Sequence, residues 1–221
     1  MAGKEANAAA ESRKKSRIQF EATKLSAAQR NIHVYAQIAS IGNFIFLISD
    51  MLFIQGQTER MIVAITRYCF SILLILLVRK LQRVRSFANF AALVTILEAA
   101  SVLLYLVVLW LYESPDFMIQ SMGVILTILV IYVVPNRSEN VLTLSILSAI
   151  AYFAFSYYFI KDVPLKSFFA AMVYVTLTIV ICVARTLGTE RYAQREFLAK
   201  ANLQETSAKD YLTNAATRAR L

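Results

Sequence analysis

Six long apolar stretches constrain this chain more than any other feature of its sequence. They cover residues 33–54, 61–78, 87–112, 117–134, 141–160 and 165–187. At a helical rise of about 1.5 Å per residue, each is long enough to cross a hydrocarbon core about 30 Å thick. The sequence therefore predicts an all-α polytopic membrane protein with six transmembrane helices.

The composition agrees with lipid as the solvent of this chain. Hydrophobic residues make up 58% of it and charged residues only 17%, which is too apolar for an ordinary soluble domain. The net charge of +9 would suit nucleic acid if the basic side chains formed one stripe on a folded face. They lie instead at the ends of the apolar stretches, so we expect a lipid bilayer and no nucleic acid as partner.

The positions of Lys and Arg predict the orientation of the helices. The connections between the apolar stretches are short, so successive helices should be antiparallel neighbours. Most basic residues then fall on one side of the membrane: Lys4, Arg13, Lys14, Lys15, Arg17, Lys24, Arg30, Arg79, Lys80, Arg83, Arg85, Arg137, Arg185, Arg191, Arg195, Lys200, Lys209, Arg218 and Arg220. By the positive-inside rule, both termini are expected in the cytoplasm, in a multi-pass protein of the bacterial inner membrane.

The chain divides into four segments by composition. Residues 1–32 form a basic N-terminal segment, expected as a surface-lying helix or as a disordered tail, and no secretory signal peptide is recognisable in it. Residues 33–187 hold the six apolar stretches. Residues 188–209 are charged and favour helix, and residues 210–221 form a distinct short segment.

Ionisable residues inside the apolar stretches are the main candidates for a functional site, because each costs at least about 2.5 kcal/mol at mid-bilayer unless it is paired or hydrated. Asp50, Arg67 and Glu98 are such residues, and Asn43 lies on the same stretch as Asp50. Their depths put Arg67 within reach of either carboxylate if the first three helices pack together. The cluster is then either an outward-facing polar pocket for a small molecule or ion, with Glu98 as a proton-linked switch, or an ion pair that fixes helix register.

Catalytic and metal-binding patterns are absent from the sequence. Cys69 and Cys182 fall at different expected depths, so a disulfide is not expected, and His33 is the only histidine. Five glycines in separate places form no phosphate-binding loop, and there is no Ser/His/Asp grouping. We therefore expect no cofactor, no metal and no enzymatic activity within these residues.

The sixth stretch is expected to continue as a helical stalk. Thr189 to Lys209 contains no proline or glycine, and side chains recur near a heptad seam at Leu187, Gln194, Phe197, Ala201, Gln204 and Ala208. Because only half of that seam is apolar, it predicts a weak parallel coiled coil in a homodimer. The alternative is a solvated helix without a partner.

The final twelve residues carry a motif. Asp210-Tyr-Leu-Thr-Asn-Ala-Ala-Thr-Arg-Ala-Arg-Leu221 resembles the opening of the GGDEF diguanylate cyclase domain, usually written D-x-L-T-G-x-x-N-R-x-x-L. The matching residues are Asp210, Leu212, Thr213, Arg218 and Leu221. Asn214 replaces the usual Gly, which is a mild change because Asn tolerates a left-handed turn, and Thr217 replaces the usual Asn.

The resemblance implies a function for the longer protein. Its output domain, beyond residue 221, would use GTP and Mg²⁺ to make cyclic di-GMP when two such domains meet. The six-helix region would then be a membrane-integral input module that responds to a small-molecule or lipid signal. The alternatives are a small six-helix transporter or channel subunit, and an input module joined to a different output such as a kinase.

Overall fold

A computed structural model describes residues 2–112, 117–160 and 163–218, with side chains described for 18–112, 117–160, 163–200 and 203. The described chain is all-helical. Its helices are α1 (Ala2–Phe53), α2 (Gln57–Gln82), α3 (Phe87–Trp110), α4 (Phe117–Val133), α5 (Ser138–Phe159) and α6 (Leu165–Arg218). Each predicted apolar stretch corresponds to one helix, and α1 also includes most of the N-terminal basic segment.

Five of the six helices are long and apolar enough to cross a membrane, which indicates a membrane protein. The exception is α4, an apolar helix of 17 residues that falls just short of this length. The six-span topology and the position of the termini therefore stay predictions.

Large apolar side chains point outward from the helices that could span. Leu52 on α1 is 75% exposed, Ile96 on α3 is 65% exposed, and Ile181 on α6 is 58% exposed. A protein in water rarely leaves so many such side chains uncovered, whereas lipid tails solvate them. The outer surface of these helices therefore fits a hydrocarbon environment.

The chain separates into two compact units. The first consists of residues 1–20 with 184–221, and the second of Glu21–Val183. Within the first unit, Phe20 packs edge-on against Phe197 at 5.4 Å between ring centroids, and Lys200 donates to Glu196 at 2.6 Å. Phe197, predicted to face a second copy in the stalk seam, thus contacts its own chain.

Only some of the other predicted stalk residues have described side chains. Leu187 and Gln194 are exposed, as an unpaired seam would be, and Gly188 lies within α6. The side chains of Ala201, Gln204, Ala208 and of the motif residues from Asp210 onward lie outside the described residues. The backbone is α-helical across Asn214, so the turn that the motif predicts there is not formed.

Small and polar side chains hold the second unit together. On α5 the buried face repeats at Ser145, Ser148, Tyr152 and Ser156, and the serines allow neighbouring helices to approach closely. The Tyr152 hydroxyl lies 3.0 Å from Ser121 Oγ, which joins α5 to α4. Such bonds replace the hydrophobic driving force that lipid does not supply.

Side-chain hydrogen bonds also fix the connection between α2 and α3. Gln29 on α1 donates its Nε2 to the carbonyl oxygens of Leu81 at 3.1 Å and of Val84 at 2.8 Å. The last carbonyls of a helix have no partner within the helix, so this amide satisfies that of Leu81, and it also binds the connection at Val84. The contact fixes α1 against the C-terminal end of α2.

Candidate functional site

Asp50 and Arg67 form a buried ion pair between α1 and α2. Arg67 Nε donates to Asp50 Oδ2, and Arg67 Nη2 donates to Asp50 Oδ1 at 3.1 Å. Asp50 is completely buried and Arg67 is 4% exposed. Two parallel N–H bonds to one carboxylate are the strongest geometry available to this pair.

Helix periodicity brings the other members of this network to the same place. Asn43 precedes Asp50 by two turns of α1, and Ser71 follows Arg67 by one turn of α2, so each pair shares a helix face. Arg67 Nη1 donates to Asn43 Oδ1 at 2.8 Å, and Asn43 Nδ2 donates to Ser71 Oγ at 2.9 Å. Tyr112, at the end of α3, donates its hydroxyl to Asp50 Oδ1 at 2.7 Å.

Glu98 belongs to a second polar group, away from the ion pair. Its Oε2 accepts a hydrogen bond from Asn136 Nδ2 at 2.9 Å, in the connection between α4 and α5. Asn136 Nδ2 also contacts Thr95 Oγ1 at 2.9 Å, and Asn140 Nδ2 donates to the same oxygen at 3.1 Å. In the described part of the chain Arg67 pairs only with Asp50, so the expected link from Arg67 to Glu98 is not formed.

The other oxygen of Glu98 is unusual. Oε1 is buried and has no hydrogen-bond partner among the described residues, and the residue as a whole is 7% exposed. Buried polar atoms are almost always satisfied, so this oxygen is a candidate site for a proton or for a partner outside the described residues. No group of three or more His, Cys, Asp or Glu side chains suited to a metal occurs among the described residues.

A cavity of about 160 Å³ lies between α1, α2, α3 and α4 in the second unit. Asn43, Arg67 and Glu98 line it, whereas Asp50 lies behind Arg67 and does not. The remaining wall is mostly apolar, with Ser101, Tyr105 and Thr127 as further polar members. The two polar groups are therefore separate in their bonding but face one cavity.

Gly123 on α4 leaves room for the Tyr105 side chain in the cavity wall. Its hydroxyl donates to the carbonyl oxygen of Gln120 on α4 at 2.7 Å. A Cβ atom added to Gly123 would come within 2.7 Å of that hydroxyl and 3.1 Å of the ring. Gly123 therefore permits the close contact between α3 and α4 that forms this wall.

Several site residues were not predicted from the sequence. Tyr112 fits the pattern of an interfacial aromatic residue, and Asn136 and Asn140 lie in a polar run that reads as a turn. Only the packing of helices distant in sequence brings them to Asp50 and Glu98. Two other polar residues of the apolar stretches lie outside both groups: Gln37 is exposed, and Ser101 donates to the Leu97 carbonyl of its own helix.

These features define an all-helical protein with helices suited to a membrane and a cavity lined by polar groups between four of them. No known protein family, curated protein or solved structure matches the chain.

Proposed function

We propose that this chain is the input module of a membrane signalling protein, and that the cavity enclosed by α1, α2, α3 and α4 receives the signal. The observation that carries the proposal is the cavity itself, which brings Asn43, Arg67 and Glu98 to one surface inside helices suited to lipid. Intramembrane ionisable residues are costly and usually functional. A cavity with both an apolar wall and polar groups is the usual form of a small-molecule site.

The proposed topology has six spans, with both termini in the cytoplasm of the bacterial inner membrane. At about 1.5 Å per residue, the 17 residues of α4 span roughly 26 Å, close to the thickness of a hydrocarbon core. A short span is accommodated by local thinning of the bilayer. Six spans also leave the basic connections 83–86 and 134–137 on the same side as the basic N-terminal segment, as the positive-inside rule requires.

The proposed output is a diguanylate cyclase domain that begins at Asp210. Support comes from the motif residues Asp210, Leu212, Thr213 and Arg218 and from the charged helical segment 188–209 that precedes them. Two cyclase domains must meet to condense two GTP molecules, so the proposal includes a homodimer. Ligand occupancy would favour one of two arrangements of the helices and so change how often the domains meet.

The proposal is tested first by the coding sequence that follows Leu221 in the gene. A GG(D/E)EF loop some tens of residues downstream is expected, and membranes containing the full-length protein should convert GTP to cyclic di-GMP in the presence of Mg²⁺. The variant Arg67→Gln should change the rate of that reaction, whereas Ile181→Ala, on an exposed face of α6, serves as the matched control. A downstream sequence without this loop would refute the cyclase output.

The second candidate function is a small transporter or channel subunit. The observation that favours it is the same set of intramembrane charges, since Asp50, Arg67 and Glu98 could lie along a transport pathway. Purified chain in proteoliposomes separates the two functions. Solute or ion flux that depends on Glu98 would favour transport, and sealed vesicles with an active cyclase would favour signalling.

A further inference from the structure

Glu98 lacks a counter-ion in a place where one is needed. It is 7% exposed, and its Oε2 accepts one hydrogen bond from Asn136, while its Oε1 has no hydrogen-bond partner within residues 18–112, 117–160 and 163–200. A buried carboxyl group that few donors face stays ionised only when a cation pairs with it, and otherwise it takes up a proton. One amide N–H does not meet that requirement.

The other charged residue of the cavity wall is already neutralised. All three nitrogens of the Arg67 guanidinium are engaged, by the two carboxylate oxygens of Asp50 and by Asn43 Oδ1. Among the described residues that line the cavity, Glu98 is therefore the one carboxyl or guanidinium group without an oppositely charged partner. When it is ionised, the cavity presents a negative charge that a cation can neutralise.

The remaining wall suits an apolar body. Phe70 and Leu74 of α2 and Val94 and Leu97 of α3 line the space next to the polar groups. Its volume of about 160 Å³ is close to that of an apolar protein cavity of about 150 Å³ that holds benzene. On the α1 side Gly42 lines the cavity, and a Cβ atom there would meet no atom within 4 Å.

We propose that the cavity binds a small organic ammonium ion with an apolar body about the size of a benzene ring. The ammonium group pairs with the Glu98 carboxylate, and the apolar body occupies the space bounded by α1, α2 and α3. This inference rests on the proposed function, because it names the chemical class of the signal received at the same cavity.

An acyl chain of a membrane lipid is the competing occupant of an apolar groove. An acyl chain has neither a charge nor a hydrogen-bond donor, so Glu98 Oε1 would still lack a partner. The unpartnered carboxylate oxygen is thus the feature that favours an ammonium ion over a lipid tail.

Benzylamine is a suitable probe, with toluene as the apolar control. Binding is measured by titration calorimetry on the full chain in nanodiscs of phosphatidylcholine and phosphatidylglycerol, two lipids without an ammonium N–H. We expect saturable binding of one benzylamine per chain, and binding at least about tenfold weaker in Glu98→Gln, which keeps the size of the side chain but removes its charge. Toluene binding should not change in that variant.

A second pair of variants tests the cavity without altering Glu98. Gly42→Phe should fill the cavity and weaken benzylamine binding by at least about tenfold, whereas Gly42→Ala should leave it nearly unchanged. Equal affinity of benzylamine for Gly42→Phe and for the unmodified chain would show that benzylamine does not bind in this cavity. Equal affinity for Glu98→Gln and the unmodified chain would overturn the role of the carboxylate, and it would assign the cavity to apolar occupants.

The ammonium group could belong to a free amine or to the headgroup of an ethanolamine lipid. Nanodiscs with added phosphatidylethanolamine separate these sources, since competition with benzylamine would identify the lipid headgroup. These binding measurements do not test the signalling function, which is tested by the output of the full-length protein. If benzylamine binds as expected but full-length protein shows no change in output, the site stands and the signalling function fails.

Discussion

Arg67 on α2 donates hydrogen bonds to both carboxylate oxygens of Asp50 on α1, and neither side chain is more than 5% exposed. Asn43 on α1 and Tyr112, just after α3, bond to the same pair, so the pair joins the three helices. Each charge is costly in lipid without the other. This mutual dependence gives the first prediction.

Replacing one member of the pair should lower the stability of the protein far more than replacing both. Asp50→Leu leaves the guanidinium buried without a counter-ion, and we expect a loss of about 3–5 kcal/mol of stability. The double variant Asp50→Leu with Arg67→Met should recover most of that loss, since an apolar pair has no charge to desolvate. Thermal unfolding of the purified chain in nanodiscs measures both, and a double variant as unstable as Asp50→Leu alone would contradict the prediction.

Replacing Gly123 and Gly42 by alanine should change the stability of the protein in different ways. At Gly123 a Cβ atom would lie 2.7 Å from the Tyr105 hydroxyl, so Gly123→Ala should cost about 1–3 kcal/mol through overpacking. At Gly42 a Cβ atom meets nothing within 4 Å, so Gly42→Ala should be neutral or stabilise α1 by up to about 1 kcal/mol.

Gly42→Ala is the matched control for Gly123→Ala, because both replace a glycine within a helix by the same residue. Melting temperatures of the two variants in the same nanodiscs provide the measurement. Similar melting temperatures would show that the contact between Tyr105 and Gly123 is not close.

Asn136 should matter more than Asn140 for the connection between α4 and α5. Asn136→Ala removes the partner of Glu98 Oε2 and one donor to Thr95, and the loss of such a buried bond costs about 1–3 kcal/mol. Asn140→Ala removes a longer bond to Thr95 and a marginal one to Asn136 and leaves Glu98 as it was.

Amide hydrogen exchange across residues 134–142 measures the effect locally. Faster exchange is expected in Asn136→Ala than in Asn140→Ala. The reverse order would mean that the bond to Glu98 does not hold this connection.

The position of Ser138 decides whether α4 crosses the membrane. In a background of Cys69→Ala and Cys182→Ala, an impermeant maleimide should label Gln57→Cys on intact cells but not Arg83→Cys. If α4 spans, Ser138→Cys should be protected in the same way as Arg83→Cys, because both connections then face the cytoplasm. Labelling of Ser138→Cys on intact cells would limit the topology to fewer than six spans.

The proposed dimer predicts a pattern of cross-links along α6. Leu187→Cys and Gln194→Cys should each form disulfide-linked dimers in membranes, since both positions are exposed and share the predicted seam. Tyr192→Cys is the matched control, being 70% exposed and off the seam. Equal cross-linking at all three positions would indicate random collision, and no cross-linking at any of them would contradict the dimer.

Some features of the site could be predicted from the sequence because they depend on single residues. A charged residue within an apolar stretch is conspicuous, which is why Asp50, Arg67 and Glu98 were predicted as candidates. The pairing was only half predictable, since depth along a helix was known but the direction of each side chain was not. Asn136 and Asn140 carried no signal, because a polar run after a proline is typical of any connection.

The sequence by itself determined the number of helices and the position of the apolar stretch in each, since hydropathy is a local property of the chain. It also determined which residues would be costly in lipid. Only the tertiary structure decided that Arg67 pairs with Asp50, that Asn136 reaches Glu98, and that α1 to α4 enclose a cavity. Those contacts depend on how each helix is rotated about its axis, and that rotation is set by side chains on neighbouring helices, which no local pattern records.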